Sequence, residues 1–380
     1  MSELSGQARE FGKIGFSEEQ ADLLEVATNF CREKSPMEKV RKLMETEDGF
    51  DPDVWREIAD LGWLAIAIPE EFGGVGLSLA ETAPVMEQMG AAMMATPFFS
   101  TTLAAQALVF AGTQSQKEKY LPKIAEGAVA TLALMEEDGD WGLTKIKSQA
   151  KQDGDVYRLS GVKHLVCDAG VAEWVIISAM RQGAPALFLV EKSALPEGAL
   201  RRETVIDETK RSYALTLDGI TIGADAMLDH ERFPAVFDHV RLAGCLLSAA
   251  ESCGSAKSVV DYTIEYLTTR KQFGKLIGSY QSLKHPTVDA FVQYEQARSH
   301  LYSAAHCFNE QGVGAVAVHM AKAQADAALS YASDRSIQFH GGFGFTYDCD
   351  AQLYRRRAAW HAALYGDAAY HKKRLAALLF

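Results

Sequence analysis

Apolar positions along the chain fall into three textures. Up to about residue 126 they recur at three- and four-residue intervals, the period of helices that bury one face. Ser17-Glu-Glu-Gln20 has the spacing of a capping box and leads into a helical pattern that reaches Phe30. Asp51-Pro52 opens another through Trp55, Ile58 and Leu61, with proline at a first helical position where no intrahelical bond is lost. Further helices are predicted through Leu79–Met94, Phe98–Phe110 and Ser115–Ile124. From about Gly127 to Gly223 the pattern shortens to Thr131–Met135, Val156–Leu159, Trp174–Ala179, Ala186–Val190 and Tyr213–Leu217. Turn dipeptides separate these runs (Asp138-Gly139, Asp153-Gly154, Asp218-Gly219), which predicts an antiparallel barrel or sandwich. After Phe233 the helical period returns, with Val240–Thr268, Thr287–Gln311 and Val313–His340 long enough for a bundle. The expected organisation is an N-terminal helical domain over 1–126, a middle β-barrel over 127–230 and a C-terminal four-helix bundle over 231–380.

Composition narrows the function classes. A chain of 380 residues with 48% hydrophobic and 23% charged residues is ordinary for a multidomain globular protein. A net charge of −12 argues against a nucleic-acid surface, which needs clustered Lys and Arg. The cysteines at 31, 167, 245, 253, 307 and 349 form no C-x-x-C pair, so neither a zinc site nor a disulfide framework is expected. Apolar runs such as Val129–Met135 and Trp174–Met180 are too short to span a bilayer. The expectation is a cytoplasmic protein with no membrane segment.

Three segments carry more specific chemistry. They are Leu61-Gly-Trp-Leu-Ala-Ile-Ala-Ile-Pro-Glu-Glu-Phe-Gly-Gly-Val-Gly76, Arg270-Lys-Gln-Phe-Gly-Lys-Leu-Ile-Gly-Ser-Tyr-Gln281 and Gln338-Phe-His-Gly-Gly-Phe-Gly-Phe345. A Gly-Gly pair alone is usually a turn, but these three blocks, in this order and spacing, resemble the acyl-CoA dehydrogenases over nearly the whole chain. The resemblance implies FAD and the removal of two hydrogens from the α and β carbons of an acyl-CoA thioester. A carboxylate would take the α proton and the flavin the β hydrogen as hydride. It also implies an electron-transfer flavoprotein as acceptor, and a homotetramer or an α2β2 heterotetramer. Arg270, Gln272, Phe273 and Gln281 match residues that reach the adenosine-pyrophosphate half of a neighbouring subunit's FAD. An Arg fork suits pyrophosphate oxygens. Gln338, Gly341 and Gly342 match a turn where main chain approaches the same cofactor, and glycine avoids a Cβ clash there.

Elsewhere the sequence departs from the family. The usual base, a Glu before Gly, falls on Tyr365, whose phenol stays protonated at neutral pH with a reference pKa of about 10. Asp367 lies two positions further on. The alternative base position falls on Gly244. Arg241, Gly244, Ser248 and Glu251 share a helical face, so Glu251 is a candidate base along the acyl tunnel. The plainer reading is a carboxylate meeting a Lys or Arg at a subunit interface. Met135 and Trp141 replace the flavin-binding hydroxyls of the family, and Leu165-Val-Cys167 replaces its W-I-T, leaving Cys167 to offer a backbone amide. Residues that reach a neighbour's FAD are kept, while those serving the chain's own flavin are changed. That pattern resembles the degenerate subunit of α2β2 members acting on steroid side-chain CoA thioesters. Three readings stay open: a catalytic dehydrogenase, a non-catalytic partner subunit, and a flavin-dependent hydroxylase on the same fold.

Overall fold

The computed structural model describes residues 18–142 and 145–380; Ser17, and with it the expected capping box, lies outside them. The N-terminal helices are α1 (Glu18–Lys34), α2 (Met37–Met44), α3 (Pro52–Asp60), α4 (Leu79–Ala91), α5 (Phe98–Ala111) and α6 (Gln114–Ala125). Asp51 caps α3 as its sequence suggests, accepting from the Asp53 and Val54 amides at 2.9 and 3.4 Å, a contact worth about 1 kcal/mol. Ser78 and Glu81 form a reciprocal capping box on α4 that the sequence reading did not single out. The predicted Leu79–Met94 helix ends at Ala91, because Met93 turns into the left-handed region at φ +50°.

The β layer comprises β1 (Ala130–Ala133), β2 (Gln149–Asp153), β3 (Val156–Ser160), β4 (Val162–Cys167), β5 (Trp174–Arg181), β6 (Ala184–Glu191), β7 (Leu200–Glu203), β8 (Ser212–Thr216) and β9 (Thr221–Gly223). Six strands form one sheet, in which β1-β5-β2-β3-β9 run in order and β6 joins β5; β4-β8-β7 form a second. The two sheets share a core that includes Tyr157, Val166, Ile177, Phe188 and Leu215. The purely antiparallel expectation is corrected in one respect. β1 pairs β5 in parallel from Ala130 against Trp174, and β2 meets β5 in parallel at Gln149 and Met180. Hairpin turns make antiparallel neighbours legible in sequence, whereas strands paired across long connections leave no local signal.

The C-terminal helices are α7 (Ala235–Thr269), α8 (Gln281–His306), α9 (Gly314–His340), α10 (Ala351–Ala363) and α11 (Ala368–Leu379). A two-stranded hairpin, β10 (Lys271–Gln272) and β11 (Lys275–Leu276), joins α7 to α8. α8 starts six residues before the expected Thr287, since Pro286 lies close enough to the N-terminus to remove a single bond. Helices α4 and α7 touch backbone to backbone. A Cβ on Gly254 would stand 1.7 Å from the Glu87 carbonyl oxygen, and one on Gly90 would stand 2.2 Å from that of Glu251. This contact fixes α7 against the N-terminal helices and so sets the position of everything on its length. Among the described residues no helix is long and apolar enough to cross a membrane, and no group of three or more His, Cys, Asp or Glu side chains could hold a metal.

Candidate functional site

The Arg270–Gln281 and Gln338–Phe345 blocks meet at one end of the bundle. Arg270 ends α7, Gln272 lies in β10, and Phe273 turns the hairpin at φ +53° with its ring 90% exposed. Across from them α9 ends at His340, and Gly341 follows with φ +61° and ψ −136°, a conformation only glycine adopts readily. Arg270, Gln272, Phe273, Gly341 and Gly342 together line a cleft of about 510 Å³. Gln338 stands in the last turn of α9, and Gln281 opens α8, whose N-cap Tyr280 supplies no side-chain oxygen to the free amides. Gly342 has an ordinary helical φ of −57°, and a Cβ built on it or on Gly341 meets nothing within 4 Å. Nothing among the described residues therefore requires glycine at 342, which fits close approach by a group from outside. A cation and a glycine turn suit the adenosine-pyrophosphate half of FAD.

Cys167 lies elsewhere, in the wall of a narrow pocket of about 40 Å³ with Phe99, Ser100, Met135, Leu165 and Tyr365, whose rim at Met135, Leu165 and Tyr365 is part-exposed. That volume holds a few waters at most, against the several hundred Å³ of ordinary ligand pockets. Tyr365 fills the space. Its backbone is left-handed at φ +61°, its ring lies against Gly244, and burial pushes its hydroxyl pKa up. A Cβ on Gly244 would stand 2.7 Å from that ring. The two positions that the resemblance aligns with a base thus touch each other, and neither has a carboxylate. Asp367 caps α11, accepting from the Tyr370 amide at 2.7 Å. Trp141 donates from its indole to the Ala363 carbonyl at 2.9 Å and packs edge-on to Tyr370, which folds its loop onto the junction of α10 and α11. Burial pushes the Cys167 thiol up to about 12, so it is no thiolate. With Met135, Leu165 and Tyr365 in the cavity, the residues present do not fit a flavin ring held by this chain.

Glu251 does not line that cavity. Its carboxylate is 1% exposed and is engaged within the chain by Arg357 and by Lys210, the latter at 2.6 Å. Burial would raise its pKa, but Lys210 and Arg357 outweigh burial and hold it below the usual range. A lowered pKa and two cationic partners make it a poor proton acceptor. Arg357 also pairs with Asp207 and donates to Thr209 Oγ1 at 2.6 Å. The face predicted from Arg241, Gly244, Ser248 and Glu251 is real and runs along α10: Ser248 Oγ meets His361 Nδ1 at 2.8 Å. Burial, then the neighbouring Lys322, lowers the His361 pKa, so its ring is neutral.

Sequence reasoning missed the partners of Glu251, because Lys210 and Arg357 are distant in the chain and carry no local motif. It also passed over Asp168, next to Cys167. Burial pushes the Asp168 carboxyl up to about 6, although Ser100 Oγ donates to it at 2.6 Å.

Known proteins match this arrangement along nearly the whole chain. The acyl-CoA dehydrogenase N-terminal domain matches residues 17–128, and the acyl-CoA dehydrogenase C-terminal domain matches residues 230–380. The chain is 31% identical over 369 residues to acyl-CoA dehydrogenase IpdE2 of Mycolicibacterium smegmatis, covering 96% of this chain and 100% of that one. A solved steroid ACAD, the Tcur3481-Tcur3483 G363A variant, is similar with TM-score 0.85 and 28% identity over 95% of this chain and 98% of that one. The ChsE4-ChsE5 complex from Mycobacterium tuberculosis is similar with TM-score 0.86 and 25% identity over 96% and 98%. The chain belongs to the acyl-CoA dehydrogenase family, oxidoreductases whose members are FAD-dependent.

Proposed function

We propose that this chain is the non-catalytic subunit of a hetero-oligomeric, FAD-dependent acyl-CoA dehydrogenase, and that it completes the FAD site of a catalytic partner. The observation that carries the reading is the contact of Tyr365 with Gly244 beside a pocket of only about 40 Å³, at the two positions that the family resemblance aligns with a base, neither of which has a carboxylate. The exposed cleft supports the other half of the reading. Arg270 lines it and would hold a charge toward the pyrophosphate, and the Gly341-Gly342 turn leaves room for close approach. The bound FAD would supply hydride acceptance in the partner. This chain's residues would bind and orient its far half. The partner would bring the base and hold the acyl-CoA, and an electron-transfer flavoprotein is the proposed acceptor. Two of the similar solved structures bear names that join two proteins, which supports a two-component assembly.

The experiment is a comparison of flavin content. Purified alone, the chain should carry little FAD and show no acyl-CoA oxidation. Co-purified with a catalytic dehydrogenase subunit, it should give a yellow complex with about half the FAD per chain of a homotetramer, as symmetry requires. Full flavin loading and turnover by the lone chain would overturn the reading and return Glu251 to candidacy as the base.

A further inference from the structure

A separate cleft of about 640 Å³ lies where α5, α6, the start of α7 and the turn after α8 come together. Its volume is that of an ordinary small-molecule pocket, and one wall is aromatic. The His239 ring stacks on Phe110 at 4.6 Å and 21°, and Phe308 meets the same imidazole edge-on at 5.6 Å. Gln106, 6% exposed, donates its amide to the Ala67 carbonyl at 3.0 Å, which turns its own oxygen to His239 Nε2 at 3.3 Å. Nε2 must then carry the imidazole proton, and Nδ1 is left a bare acceptor with no partner among the described residues. Burial lowers the His239 pKa to about 4, so the ring is neutral and the acceptor persists at physiological pH. Lys117 is half-buried in the same cleft and makes no ion pair among the described residues. Arg232 is held loosely, 3.9 Å from Asp229. Among the described residues that line the cleft, Glu70 is the only carboxylate, so its charge is net positive in a chain of −12. The cleft of similar volume beside Lys119 differs, because Glu191 engages that cation at 3.1 Å.

We propose that this cleft binds a small planar aromatic carboxylate that bears a hydroxyl. Its ring lies against the Phe110–Phe308 wall, its carboxylate meets Lys117 and Arg232, and its hydroxyl donates to His239 Nδ1. A flat ring matches an aromatic wall and loses little freedom on binding. A carboxylate answers the two cations with charge-assisted hydrogen bonds, and only a donor satisfies a bare ring nitrogen. The cleft shares no lining residue with the Arg270 cleft or the pocket at Tyr365. Every group named belongs to one chain, so the proposal goes beyond the two-subunit reading and does not depend on it.

The test is calorimetric titration of the full chain with para-hydroxybenzoate, benzoate and cyclohexanecarboxylate. The hydroxylated acid should bind about fivefold more tightly than benzoate, the scale of one neutral hydrogen bond, and cyclohexanecarboxylate should bind more weakly than either. Lys117→Met should weaken both aromatic acids about tenfold, the scale of a hydrogen bond to a charged group. Lys119→Met, whose cation serves the neighbouring cleft, should change neither. His239→Phe keeps an aromatic ring on Phe110, so it should leave benzoate unchanged and erase the advantage of para-hydroxybenzoate. Absence of saturable binding by the aromatic acids overturns the proposal, as does binding that Lys117→Met leaves unaltered. Equal affinity of wild type for para-hydroxybenzoate and benzoate also overturns it, whether or not His239→Phe folds. So does cyclohexanecarboxylate binding as tightly as benzoate, because the wall would then not be reading a flat ring.

Discussion

At the scale of single residues, the Gly244–Tyr365 contact is a steric statement that mutation can check. Gly244→Ala places a methyl 2.7 Å from the Tyr365 ring, and overpacking of this kind destabilises by about 1–3 kcal/mol. The same change in a Tyr365→Ala background should cost much less, so a double-mutant cycle by denaturant unfolding should return a coupling energy of that size. An additive cycle would remove the contact from the account. Tyr365→Phe should leave turnover of the two-subunit complex nearly intact. A loss beyond about a hundredfold would put the hydroxyl in the chemistry. What sequence could tell here was the absence of both bases, because counting from the Arg270 and Gly341-Gly342 blocks lands on Tyr365 and Gly244. It could not tell that the two residues touch, since α7 and the segment after α10 are brought together by packing alone.

At the scale of elements, the segment 204–211 between β7 and β8 acts as a strap. Arg211, 3% exposed, donates to the carbonyls of Leu43, Met44, Thr46 and Glu47 and so closes the end of α2. Asp207 and Lys210 reach the other way, to Arg357 on α10 and Glu251 on α7. Arg357→Met should destabilise the chain by about 3–5 kcal/mol, the cost of leaving buried carboxylates short of their cation. Burial raises Asp207, but Arg357 and Lys210 outweigh it and hold it, like Glu251, below its ordinary range. Depressed folded-state values mean a contribution that is complete above about pH 5 and lost as pH falls through those values. Wild type should therefore lose stability below about pH 4 more steeply than Arg357→Met, read from urea midpoints across a pH series. Asp168 and Asp326, both raised to about 6, act in the opposite sense as pH rises, so the difference between wild type and variant is the quantity to compare. Parallel slopes for the two proteins would mean that the strap is not held by these charges. The helices α7 and α9 were legible in sequence because their apolar period is long. The strap was not, since its ion pairs join residues far apart in the chain.

At the scale of the whole molecule, α8 carries apolar side chains that the described residues leave uncovered. Val288 and Val292 on α8 are 59% and 46% exposed, and Phe291 lies beside them, three and four residues apart as one helical stripe. The Phe273 hairpin leads through the Ile277–Ser279 turn into this helix, so the stripe begins within two turns of Ser282 and Leu283, which line the Arg270 cleft. Contiguous exposed apolar surface of this kind marks contact with another chain. If that contact also delivers the cleft to a partner's FAD, assembly and cofactor retention are thermodynamically linked, because whatever binds only the assembled form stabilises it. Val288→Lys with Val292→Lys changes two exposed positions and should leave the fold intact by circular dichroism. It should reduce the mass of the assembly by light scattering and, in the same samples, the FAD retained by the catalytic partner. Excess FAD should restore part of the assembly, since linkage runs in both directions. Loss of assembly with full FAD retention in the separated partner would break that link, and would mean that the cleft beside α8 does not take part in holding the cofactor.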